Sequence, residues 1–145
     1  MGAMSRKDQG RHIITTSVEH EAVLKPLKRL EEEGFEVTYL PVLPTGELNF
    51  ESFKKAVRDD TILVSVMTVN NEVGTIFPIK QIGEFLVERD ILFHTDAVQA
   101  FGPMEIDVDE FHIDLLSASA HKIYGPKGIG ILYKRNGIKV PAWLL

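Results

Sequence analysis

Thr61-Ile62-Leu63-Val64-Ser65-Val66-Met67-Thr68, then Pro78-Ile79 opening a segment of helical spacing, then Ile91-Leu92-Phe93-His94, form the stretch that decides the fold. The first and last runs are almost continuously apolar. A strand with one wet face would alternate, so these read as strands covered on both sides. Between them Pro78 suits the first turn of a helix, and Ile79, Ile82, Phe85 and Leu86 fall on one helical face.

The same alternation extends in both directions. Further strands are expected at His12–Thr16, Phe35–Leu40, Leu115–Ser119 and Gly130–Tyr133. A helix is expected from a Ser17 cap to about Glu33, with Glu19 and Glu21 in its first turn and Gly34 as its stop. Pro26 conflicts with that span and implies a kink, or a later start with Pro26 in the first turn. Asn49 reads as the cap of a helix over Phe50–Val57. Repeated strand, helix and strand predict an α/β fold, a three-layer αβα arrangement around a mostly parallel sheet.

The 145 residues suffice for one domain, and 44% hydrophobic residues with near-zero mean hydropathy are ordinary for a globular protein. No apolar run is long enough for a membrane helix, and no secretory leader is visible. The formal charge of −5, with basic residues interspersed among acids, argues against nucleic acid as a partner. The chain has no cysteine, which excludes disulfides, thiolate metal sites and a cysteine nucleophile on these residues. Residues 1–10 read as a cloning scar or poorly ordered start, 11–134 as the body of the domain, and 135–145 as a truncated tail. Asp107-Val108-Asp109-Glu110 reads as an acidic surface loop, and the apolar end at Val140–Leu145 suggests a chain cut before its structural partner.

In open α/β sheets ligands bind beyond the carboxyl ends of the strands. Strand ends here lead into Glu19-His20, Asn70-Asn71-Glu72, His94-Thr95-Asp96-Ala97-Val98-Gln99 and Ser119-Ala120-His121-Lys122. Each residue has a plain structural use: Asp96 as a turn cap, Lys122 as a solvated loop residue, His20 as part of a helix start, Asn71 as a turn former. Together they offer a lysine and a carboxylate on one rim. That is the minimal equipment for pyridoxal phosphate, whose aldehyde needs an amine and whose pyridine nitrogen needs an anion. A metal set drawn from Glu19, His20, Glu21, His94 and Asp96 matches no common ligand spacing. Gly125-Pro126-Lys127-Gly128 is not a phosphate loop, and Gly128-Ile129-Gly130 precedes a strand where a dinucleotide fingerprint needs a helix.

Thr68–Gly74, His94–Ala100 and Ser117–Gly128, preceded by Glu19-His20, closely resemble cysteine desulfurases of the NifS/IscS type, in register from about Arg11 to Lys134. The resemblance implies the large domain of a fold-type I, pyridoxal-phosphate-dependent transferase of the class V aminotransferase group. It implies Lys122 as the Schiff-base lysine and proton carrier, and Asp96 as partner of the pyridinium nitrogen. Gln99 would bond the phenolic oxygen, His20 would stack on the ring and assist proton transfer, and Asn71 would lie near the cofactor oxygen and the substrate carboxylate. Ser119 and His121 would contact the phosphate. Val98 stands where the family usually has a smaller residue.

The implied reaction converts L-cysteine to L-alanine, leaving the sulfur as a persulfide for iron–sulfur cluster or thiolated-RNA synthesis. Implied partners are an iron–sulfur scaffold or other sulfur acceptor and a second subunit in a homodimer, in the cytoplasm or in mitochondria. No membrane partner is expected. The family's attacking cysteine, its upstream phosphate-cradling loop and its substrate-carboxylate arginine have no counterparts here, so no turnover is expected from these residues alone. The alternatives are a selenocysteine lyase or another class V enzyme, and a non-catalytic structural module.

Overall fold

The structure, a computed structural model, describes residues 2–140. Residues 141–145, most of the expected apolar ending, lie outside the described residues. Six strands form one sheet: β1 (His12–Thr16), β2 (Glu36–Leu40), β3 (Thr61–Ser65), β4 (Leu92–Asp96), β5 (Leu115–Ser119) and β6 (Gly130–Lys134). Their order is β2-β1-β3-β4-β5-β6, parallel throughout except for the antiparallel β5–β6 pair.

Helices α1 (Gly2–Ser5), α2 (Glu21–Glu32), α3 (Phe50–Ala56) and α4 (Ile79–Val87) complete the three layers. Alternating side chains divide the core between the two faces of the sheet. On one face Phe53 of α3 and Ile79, Ile82 and Leu86 of α4 pack with Ile14, Val64, Phe93 and Leu116. On the other, Ala3 of α1 and Leu27 of α2 pack with Ile13, Leu63 and Leu92. Gly83 lets α4 lie close to the loop before β5, since a Cβ there would stand 1.9 Å from the Phe111 carbonyl oxygen.

Several local expectations need correction. The β3 run pairs regularly only to Ser65, although Val66 and Thr68 still donate to the His94 and Asp96 carbonyls at 3.1 and 2.9 Å. Helix α2 starts at Glu21, and His20, not Ser17, is its cap. Pro26 lies inside α2, beyond its first turn. Asn49 caps α3 as expected, its Oδ1 accepting from Ser52 N at 3.0 Å. Residues 2–5, within the expected poorly ordered start, form a helical turn with Ala3 in the core. Small residues fit there because Leu115 lies 3.0 Å from where a Gly2 Cβ would be, and Arg6 pairs with Asp90 at 3.0 Å. The acidic loop is a turn organised by Asp107 Oδ1, which accepts from Asp109 N and Glu110 N.

Candidate active site

The strand order reverses between β1 and β3. After β1 the chain passes to α2 on one face; after β3 it passes to α4 on the other. The two loops diverge and leave a crevice at the carboxyl ends of the strands, where ligands bind in open parallel sheets. A cavity of 510 Å³ occupies this place. His20 and Ala22 line it from the β1 side, and Met67, Val69, Asn71 and Glu72 from the β3 side. Asp96, Val98 and Gln99 come from β4, and Ser119, His121 and Lys122 from β5. All seven site residues expected from the sequence therefore face one cavity.

Asp96 ends β4 and is only 8% exposed. Its Oδ1 accepts from Val98 N at 2.9 Å, and Ala97 N donates to the Ser117 carbonyl. These bonds fix the turn that carries Val98 and Gln99 to the cavity. Lys122 closes a 3-10 turn, Ala120–Lys122, directly after β5. The Ala120 carbonyl accepts from Ile123 N and Gly125 N at 3.0 and 2.8 Å. Glycine is required at 125, because a Cβ would lie 2.8 Å from the Ala120 Cβ. The Lys122 side chain is exposed and has no hydrogen bond or ion pair among the described residues. An amine so held is free to react with a carbonyl.

Ser119 Oγ and His121 Nδ1 lie 2.6 Å apart, a paired hydroxyl and imidazole beside Lys122. Asn71 Nδ2 donates to Glu72 Oε1 at 2.8 Å. His20 Nδ1 accepts from Ala22 N at 3.1 Å, so a neutral His20 ring carries its proton on Nε2.

Two residues do something the sequence did not announce. Glu19, expected on the first turn of a helix, is 5% exposed at the switch point. Its Oε1 accepts from the Thr16 hydroxyl at 2.8 Å and Met67 N at 2.9 Å, while Oε2 has no partner among the described residues. Burial pushes its carboxyl up to about 7 against those two hydrogen bonds, and the Asp96 charge adds to the rise. His94 stands on the sheet face that α1 and α2 cover, with Nδ1 2.8 Å from Ser65 Oγ and Nε2 2.9 Å from Ser117 Oγ. Burial pushes its imidazole down to about 4, so it is a neutral cross-link of β3, β4 and β5. No local signal marks either role, because both depend on groups that only the strand register brings near.

Comparison with known proteins adds an independent line. The aminotransferase class-V family model matches residues 1–144. The chain is 59% identical over 138 residues to the cysteine desulfurase IscS of Clostridium botulinum, covering 95% of the chain and 35% of that relative. It is 55% identical over 134 residues to the mitochondrial cysteine desulfurase of Candida albicans, covering 92% of the chain and 28% of that protein. The chain thus spans about a third of the length of the curated relatives it matches. A NifS-like protein superposes with TM-score 0.93 at 41% identity, over 99% of this chain and 40% of that one. A structure described as SspA in complex with cysteine gives TM-score 0.90 at 47% identity, over 96% and 41%.

Proposed function

The chain belongs to the aminotransferase class-V family, and from that premise we propose that it is the cofactor-binding part of a cysteine desulfurase. The enzyme takes L-cysteine to L-alanine and transfers the sulfur to an acceptor thiol as a persulfide. The observation that carries this is the meeting of Lys122, without a partner among the described residues, and the buried carboxylate of Asp96 on one cavity at the switch point. Cysteine as substrate is supported by the similar structure described as a complex with cysteine.

The donor set fits pyridoxal 5′-phosphate. A buried carboxylate suits a protonated pyridine nitrogen, a free amine suits an aldehyde, and a hydroxyl paired with an imidazole suits a phosphate. When bound, the cofactor supplies an electron-withdrawing ring conjugated to the substrate's α-carbon.

The remaining work belongs to the protein. Lys122 would hold the cofactor through its aldehyde and would carry a proton to or from the substrate's α-carbon. Asp96 would keep a proton on the pyridine nitrogen, and the Val98 N–H on its Oδ1 fixes the orientation of its carboxylate. Gln99 would donate to the phenolic oxygen, and Asn71 would orient that oxygen and the substrate carboxylate. His20, whose Nδ1 accepts from Ala22 N, would cover the ring and would have its Nε2 proton to donate. Ser119 and His121 would hold the phosphate.

The acceptor thiol is supplied from outside these residues, since the 145 contain no cysteine. We therefore expect the chain alone to release no alanine from L-cysteine in the presence of pyridoxal phosphate and without an added thiol. Amino-acid analysis of the reaction decides this, and sustained alanine release would refute the assignment of roles. Selenocysteine in place of cysteine, tested on a longer protein carrying these residues, separates a selenocysteine lyase from a desulfurase. A sulfur-accepting scaffold and a second copy of the enzyme are the proposed partners. The proposed compartment is the cytoplasm, or the mitochondrion as for the yeast relative. Among the described residues no helix is long and apolar enough to cross a membrane.

A further inference from the structure

Beyond the end of β3, the Val66 and Thr68 N–H groups both point to β4, bonding the His94 and Asp96 carbonyls. The Met67 N–H between them therefore points to the β1 side. There the chain has already turned away, with Ser17 N bonded to the Leu40 carbonyl of β2. Among the described residues no backbone acceptor remains for a donor on a residue 2% exposed, and a buried N–H without a partner is unfavourable.

Glu19 Oε1 fills that position at 2.9 Å, steadied by the Thr16 hydroxyl. A second side chain crosses the crevice in the opposite direction. Asn70, 6% exposed, donates from Nδ2 to the Val18 carbonyl at 3.1 Å. Its Oδ1 accepts from Glu72 N and Val73 N, both at 3.0 Å, and so shapes the turn beyond β3. Glu19 immediately precedes His20, and Asn70 immediately precedes Asn71.

We propose that Glu19 and Asn70 are positioning residues of this cavity: each reaches from its own loop to the backbone of the other across the β1–β3 switch point, and together they hold His20 opposite Asn71. The consequence for cofactor binding rests on the function proposed above; the clamp itself does not. A glutamine at 19 keeps the acceptor oxygen, whereas an alanine removes it.

The test uses the ¹⁵N-labelled 145-residue chain, with amide hydrogen exchange read without cofactor and pyridoxal phosphate titrated by visible absorbance. In E19A the Met67 amide should exchange at least about tenfold faster, as expected for loss of one buried hydrogen bond. Val64 in the strand should stay protected, and the His20 and Asn71 signals should shift. E19Q should restore all three. Apparent affinity for pyridoxal phosphate should weaken about tenfold in E19A and stay within about twofold in E19Q. Unchanged Met67 exchange in E19A, or E19Q behaving like E19A, overturns the proposal.

If E19A does not fold, N70D serves instead. It retains the oxygen that bonds Glu72 N and Val73 N and removes the donor to Val18. Displaced His20 signals with a protected Val73 amide support the clamp, and unmoved His20 signals refute it. Absence of cofactor binding by the unsubstituted chain counts against the proposed function, while Met67 exchange still decides the clamp.

Discussion

Replacing Glu19 by glutamine removes a charge whose folding penalty depends on pH. Glu19 is nearly enclosed, one of its oxygens has no partner among the described residues, and its carboxyl is raised from 4.5 to about 7. Between those two values the folded chain holds a proton that the unfolded chain has released. Stability therefore falls as pH rises through this window and levels off above it. Moving a carboxyl from 4.5 to about 7 corresponds to about 3 kcal/mol. In E19Q the oxygen still accepts from Met67 N and the Thr16 hydroxyl, and nothing titrates. The unpartnered amide that replaces Oε2 has a penalty independent of pH.

The difference in unfolding free energy, E19Q minus parent, should thus grow by about 3 kcal/mol between pH 4.5 and pH 8. With a urea slope of roughly 1–3 kcal/mol per molar, the relative midpoint should move by at least about 1 M. Equilibrium urea unfolding by circular dichroism at a series of pH values measures it. A difference that is flat with pH would refute the reasoning, because Glu19 would then be as easily ionised folded as unfolded.

Other consequences are open to the same methods. His94 is pushed down from 6.5 to about 4, so the unfolded chain takes up its proton first and stability should fall as pH drops from 6.5 towards 4. H94Q should lose that acid limb in urea unfolding, and an unchanged limb would place the titrating group elsewhere. G83A should lower stability by on the order of 3 kcal/mol in thermal melts, since the new Cβ would meet the Phe111 carbonyl at 1.9 Å and α4 must shift. N49A should lose about 1 kcal/mol by removing the cap on Ser52 N, and an unaffected melting temperature would show the cap to be dispensable.

What could be read from the sequence was what neighbouring residues decide. The apolar run at 61–65 and the strands at His12–Thr16 and Leu115–Ser119 follow from side-chain pattern, and α4 from Pro78 with its apolar face. The rim residues were legible because parallel strands all present their carboxyl ends on one side. The start of α2 was not. Ser17 is locally a better cap than His20, but Glu19 is drawn inward by the Met67 N–H, a partner 48 residues away. Once Glu19 is fixed there, the helix can begin only after it. His94 shows the same limit: it looks like a strand-end polar residue, yet the pairing of Ser65 with His94 and Asp96 with Ser117 surrounds its ring with two hydroxyls. The turn at Gly2–Ser5 depends on the space left beside Leu115 and Leu92.

The most direct measurement is to incubate the chain with pyridoxal phosphate, reduce with borohydride and map the adduct by peptide mass spectrometry. A single adduct on Lys122, diminished in D96N, is expected if amine and carboxylate grip one ring. An adduct spread over Lys127, Lys134 and Lys139, or none on Lys122, would contradict it.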